Sequence, residues 1–233
     1  MSRIPRRRLG RGVYHVFNRA INRQHIFRED HDRQMFLDLL VRHTAKYPVH
    51  VYHWCIMRSH FHLAIETIDI EDLSAIIGTV SRLFTIKHHQ RHGGVGYLWQ
   101  GRYRTKLVQK EGYLERLGRY IERNPVVAEY PDIKYAWEYP WSSASAYATG
   151  ADDPLVDVGE HPHWNLMGGK PKDWRAPYKK YLLSRREMEE DMLLFGDRGP
   201  LVVGEPEFMT NAYRQKGRRT ARRKGRPRKE KGE

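Results

Sequence analysis

A single cysteine, Cys55, stands in the apolar run Val51–Met57 of this 233-residue chain, so no internal disulfide can form and a reducing compartment is expected. No apolar run approaches the ~20 residues needed to span a bilayer, which argues against a membrane partner. The Arg-rich N-terminus lacks the apolar h-region of a secretory signal, so a cytoplasmic protein is expected. Acid is scarce at both ends. Residues 1–12 hold five Arg and no acid, and residues 214–233 hold eleven Lys/Arg against two Glu.

What is present is positive charge, +14 net with a pI near 9.9, which points to an acidic partner, foremost nucleic acid. The tails account for all of it, since residues 13–213 carry 26 basic and 26 acidic side chains. That middle divides again. Residues 13–128 hold 17 basic against 11 acidic residues, and residues 129–213 hold 9 against 15. Four parts follow: a basic N-terminal segment (1–12), a candidate catalytic domain (13–128), an acidic extension (129–213), and a basic tail (214–233) read as disordered from about Asn211.

Within 13–128 the hydrophobic periods alternate between two and 3.6. Strands are expected at Gly12–Asn18, Val49–Met57, His60–Glu66 and Tyr97–Val108, the second and third forming a hairpin around Arg58-Ser59. Helices are expected at Asp30–Lys46, Glu71–His89 and Glu111–Asn124, the last stopped by Pro125 because the residue before proline avoids helix. The order β-α-β-β-α-β-α predicts an α+β fold, a ferredoxin-like antiparallel sheet with helices on one face. Beyond Tyr130 the signal weakens to an irregular or helical wrapping segment, with a charged helix near Tyr178–Phe195.

Two short motifs carry chemistry. On a strand, His60 and His62 point to one face. On a helix, Tyr120 and Asn124 sit one above the other. Two imidazoles and an amide oxygen form a partial shell suited to Mg²⁺ or Mn²⁺, which would polarise a phosphodiester beside the phenol, with Arg119 and Arg123 as basic neighbours. Each motif has a second copy in weaker context. His161-Pro162-His163 reads as loop, and Tyr14 to Asn18 lies along a strand where four residues span about 13 Å. Taken singly, each residue has an ordinary structural role open to it: a hydrogen-bonded histidine, a packed tyrosine, an asparagine at a helix end.

Four ordered blocks, YHVFNRAINRQHIF (14–27), MRSHFHLAIE (57–66), YLWQGRYRTKLV (97–108) and YLERLGRYIERNPV (113–126), resemble the single-tyrosine HUH transposases, especially the REP-associated tyrosine transposases of the IS200-like group. The resemblance covers roughly residues 1–148. It implies Tyr120 as nucleophile, His60, His62 and Asn124 as metal ligands, and cleavage and rejoining of single-stranded hairpin DNA through a 5′-phosphotyrosine. A bacterial, nucleoid-associated protein acting as monomer or homodimer is implied too. DNA contacts are expected from Arg3, Arg6, Arg7, Arg8 and Arg11 of the N-terminal segment, and from Arg102, Arg104, Lys106, Arg119 and Arg123. In the tail, Lys224–Lys229 resembles an AT-hook, with Arg226 entering an A·T-rich minor groove. Two other readings stay open: a hairpin DNA or RNA binder without chemistry, and a metal-dependent nuclease that uses water.

Overall fold

Two polar caps and a glycine delimit the first helices. Helix α1 (Asp30–Thr44) starts at Glu29, whose side chain and that of Asp32 cap each other's backbone N–H groups. Helix α2 (Ile70–His92) starts where Asp69 accepts the Glu71 N–H at 2.9 Å, and it ends at Gly93, whose φ of 72° suits glycine. The computed structural model describes residues 10–162, 173–184 and 188–215. Around these helices run strands β1 (Gly12–Arg19), β2 (Val49–Ile56), β3 (His60–Thr67) and β4 (Arg104–Val108), then helix α3 (Leu114–Val127). Short helices α4 (Ala144–Thr149), α5 (Arg175–Leu183), α6 (Met188–Phe195) and α7 (Pro206–Gln215) follow, with strand β5 (Val202–Val203) before the last.

The sheet order is β2-β3-β1-β4-β5, antiparallel except for the parallel β4–β5 pair, so the expected α+β class is observed with a mixed sheet. The expectation of helices on one face is corrected. Phe61, Leu63 and Ile65 of β3 pack with Phe36, Leu40, Leu73, Ile77 and Phe84 of α1 and α2. The opposite face carries Val13, Cys55, Ala64 and Val108, which pack beneath Leu114, Leu117 and Ile121 of α3. Those apolar groups need cover as much as the first set, each fully buried large side chain being worth about 1.5–3 kcal/mol. Interleaved His60, His62 and Glu66 made that face read as polar.

Other boundaries also move. Of the expected fourth strand Arg104–Val108 forms β4, and Trp99 makes an isolated bridge to Ala20; its ring turns into the aromatic cluster of Phe27, Phe36 and Phe84, the indole N–H donating to the Ser81 carbonyl at 3.1 Å. Helix α3 runs through Pro125 to Val127. Proline removes the N–H that would bond the Ile121 carbonyl, and the Asn124 amide nitrogen reaches back to the Tyr120 and Ile121 carbonyls at 2.7 and 3.4 Å. The charged helix expected at 178–195 is two helices, α5 ending at an extended Ser184. Helix α7 occupies residues 211–215, where a tail was expected, and the rest of the tail lies outside the described residues.

The extension after Tyr130 is pinned by polar bonds to the sheet. The hydroxyls of Tyr139 and Tyr147 donate to the Ile56 and Tyr52 carbonyls, both at 2.7 Å, and the Trp54 indole donates to Asp153. Under α3, the wholly buried Glu122 joins His53 Nδ1 at 2.8 Å and accepts from Ser143 and Tyr178 at 2.7 and 2.8 Å. His161, in the His pair read as loop, meets His53 Nε2 at 3.0 Å.

Two outcomes test this packing. A Cβ on Gly118 would stand 2.4 Å from His53 Nε2, so Gly118→Ala should lower stability by about 1–3 kcal/mol in denaturant titration. Burial alone would raise the Asp32 carboxyl, but hydrogen bonds from His92 and the Glu29 N–H outweigh it and hold it below its ordinary value. A depressed carboxyl stabilises above the ordinary value near ~4 and loses that contribution as pH falls through the folded value. Asp32→Asn should therefore lower the melting temperature at pH 7 and narrow its gap to the wild type as the pH drops below about 4.

Candidate active site

Register places the two histidines. Across the β1–β3 ladder, His60 stands opposite Arg19, His62 opposite Phe17, and Ala64 opposite His15, so Phe17, His15 and both motif histidines share the face beneath α3. The His60 and His62 rings lie 5.0 Å apart at 85°. Each has its Nδ1 engaged: His60 with the Ser59 hydroxyl at 3.1 Å, His62 with His15 Nε2 at 2.9 Å. That arrangement fits a metal site, because ligating histidines have the second nitrogen fixed by a neighbour and turn the other toward the ion.

Electrostatics agree with neutral, ligating imidazoles. Burial and then Arg19 push His60 down to about 4. Burial, His60 and His15 hold His62 well below the ordinary histidine range. Among the described residues no three His, Cys, Asp or Glu side chains cluster closely enough to hold an ion. The remaining ligands would be oxygens of other kinds, from Asn124, substrate or water.

Tyr120, half-buried on α3, stands edge-on to both His62 and His15, with ring centroids 5.7 Å away in each case. Phe195 of α6 lies 5.7 Å from it on another side. Burial raises the phenol to about 12, the Asp197 carboxylate adds to the rise, and Arg19 opposes it. Asp197 pairs with Arg19 at 2.9 Å. Asn124 follows one turn after Tyr120, its nitrogen committed to the helix and its amide oxygen the atom left for a ligand.

The expected DNA contacts divide. Arg11, Arg102 and Arg104 are exposed. Arg119 and Lys106 are corrected, because each is 2% exposed and holds a protein partner. The Arg119 guanidinium bonds Asp191 of α6 at 2.6 and 2.9 Å and covers the Tyr181 ring at 4.6 Å. Lys106 donates to the Leu194 and Gly196 carbonyls at the end of α6, and burial lowers it to about 8. A cation there complements the helix C-terminus. Arg123 is half-buried and donates to the Ser184 carbonyl at 2.9 Å. Arg3, Arg6, Arg7, Arg8 and Arg226 lie outside the described residues.

Sequence reasoning missed His15 and Asp197. His15 was reachable, since strand alternation puts it on one face with Phe17 and Arg19, but only the β1–β3 register brings that face against His62. Asp197 comes to the site from 77 residues beyond Tyr120 through the docking of α6, and no local spacing announces it.

Comparison with known proteins now places the chain. Residues 10–124 match the family model described as IS200-like transposase, and this stretch is an IS200-like transposase domain. The fold is that of the solved structure of a REP-associated tyrosine transposase bound to a REP hairpin, at 19% sequence identity and a TM-score of 0.53, covering 67% of this chain and 92% of the other. Among curated proteins none matches. No helix among the described residues is long and apolar enough to cross a membrane.

The buried pair gives a test. Burial outweighs both guanidiniums and raises the Asp191 carboxyl, so this contact holds α6 at a desolvation cost. Asp191→Ala leaves Arg119 buried without its carboxylate and should destabilise by about 3–5 kcal/mol in denaturant titration, most of it recovered in R119M/D191L.

Proposed function

We propose that this protein cleaves and rejoins single-stranded hairpin DNA through a covalent 5′-phosphotyrosine on Tyr120. The observation that carries the reading is the Tyr120 ring standing over His62, whose Nδ1 is fixed by His15. His60 and His62 would hold Mg²⁺ or Mn²⁺ through Nε2, with the Asn124 amide oxygen as a third ligand. Such an ion, when bound, supplies Lewis acidity and a template for the scissile phosphate.

The chain's own groups do the rest. The Tyr120 oxygen attacks phosphorus, a P–O bond to the phenol forms, and the bond to the 3′ oxygen breaks. The 3′ oxygen leaves as a hydroxyl while the phenol loses its proton. Burial raises the phenol to about 12, which works against ionisation, so the site must act by orienting it and stabilising the charge that develops in attack. Packing between His62, His15 and Phe195 restricts the ring to one approach. Attack by another 3′-OH on the phosphotyrosine reverses the bonds and rejoins the strand without ATP.

Full-length protein incubated with hairpin-bearing single-stranded DNA and Mn²⁺ should give a covalent adduct that survives denaturant. Tyr120→Phe should lose it entirely while binding the hairpin, and His62→Ala should lower its yield by at least tenfold. Cleavage that persists in Tyr120→Phe would favour a water-using nuclease, and binding with no cleavage by the wild type would favour a binder.

A further inference from the structure

A cleft of about 1610 Å³ opens beside the Tyr120–His62 site, between the outer side of α2, the end of β1 and residues 96–104. It exceeds the ~300–1,000 Å³ typical of small-molecule pockets, so its dimensions suit a polymer. Four arginines line it: Arg19, which pairs with Asp197, and Arg82, Arg102 and Arg104, which are exposed and in no ion pair among the described residues. The acids lining it are Glu71 and Asp197, and Asp197 already holds Arg19. The cleft is therefore cationic and three of its positive groups are available.

An aromatic platform stands in it. Tyr97 is 89% exposed, so its ring is open to a ligand. The residues that follow it are tethered to β1 and the turn after it. Ile21 N–H donates to the Leu98 carbonyl at 3.0 Å, Gln100 N–H to Arg19 at 2.9 Å, and the Asn18 amide to Gly101 at 3.1 Å. Two residues on, Trp99 is anchored in the core. A solvent-facing ring in a cleft lined by unpaired arginines is the arrangement that binds single strands: bases stack on the ring and phosphates meet the cations. The cleft also leads to the chemistry, since Phe17 lines it and stacks 5.8 Å from the His62 ring.

We infer that this cleft seats the unpaired DNA flanking the hairpin, with a base on Tyr97 and the backbone along Arg82, Arg102 and Arg104, delivering the strand toward Tyr120. This rests on the hairpin-transferase reading above.

The test measures affinity of the full chain for two DNAs, a blunt hairpin and the same hairpin with a single-stranded flank bearing 2-aminopurine. For the flanked DNA, Tyr97→Ala should weaken binding about tenfold and abolish fluorescence quenching, and Tyr97→Trp should restore both. R82Q/R102Q/R104Q should flatten its log–log salt slope by roughly 2, at about 0.7 for each single-strand phosphate that is no longer neutralised. The blunt hairpin should respond to none of these. An equal weakening on both DNAs, or none on either, would overturn the inference while leaving adduct formation by the wild type intact. A wild type that forms no adduct with the flanked hairpin would instead overturn the transferase reading and this inference with it.

Discussion

Everything at the site depends on how α3 is held across the second face of the sheet. Leu114, Leu117 and Ile121 supply its apolar contact, but they do not fix its rotation or axial position. Two buried polar contacts, one on each flank, add directional bonds. Glu122 is locked by His53, Ser143 and Tyr178, and Arg119 by Asp191. Buried ion pairs contribute little net stability because desolvation offsets attraction, yet breaking one is costly. With α3 so placed, Tyr120, between Arg119 and Ile121, faces the His15–His62 pair.

The same arrangement explains why the acidic extension is part of the working molecule. Several of its acids turn inward: Asp191 answers Arg119 and Arg116, Asp153 takes the Trp54 indole, and Asp197 meets Arg19 at the edge of the site. Asp191 and Asp197 are thus counter-charges for arginines of the basic domain.

Much was legible in advance because local chemistry determined it. The alternation of β3 put His60 and His62 together, and the helical spacing of Tyr120 and Asn124 put them on one side of α3. The first three strands were legible to within a residue or two because their ends are marked by glycine and turn residues. What stayed hidden required non-local facts. Pro125 looked like a stop, but Asn124 caps the carbonyl it strands, so the helix continues. Arg119 and Lys106 looked like DNA contacts because sequence shows charge without showing the Asp191 carboxylate or the α6 carbonyls that consume it. Tyr97 looked like the start of a strand, whereas Trp99 was claimed by the aromatic core and left the segment as a tethered loop.

The central claim concerns one oxygen atom, the Tyr120 hydroxyl. Peptide mapping by mass spectrometry, after reaction of the full chain with hairpin-bearing single-stranded DNA and nuclease trimming, locates the bond directly. The account predicts nucleotide mass on the peptide containing Tyr120 and on no other. Nucleotide mass on a different residue, or cleaved DNA with no modified peptide, would contradict it.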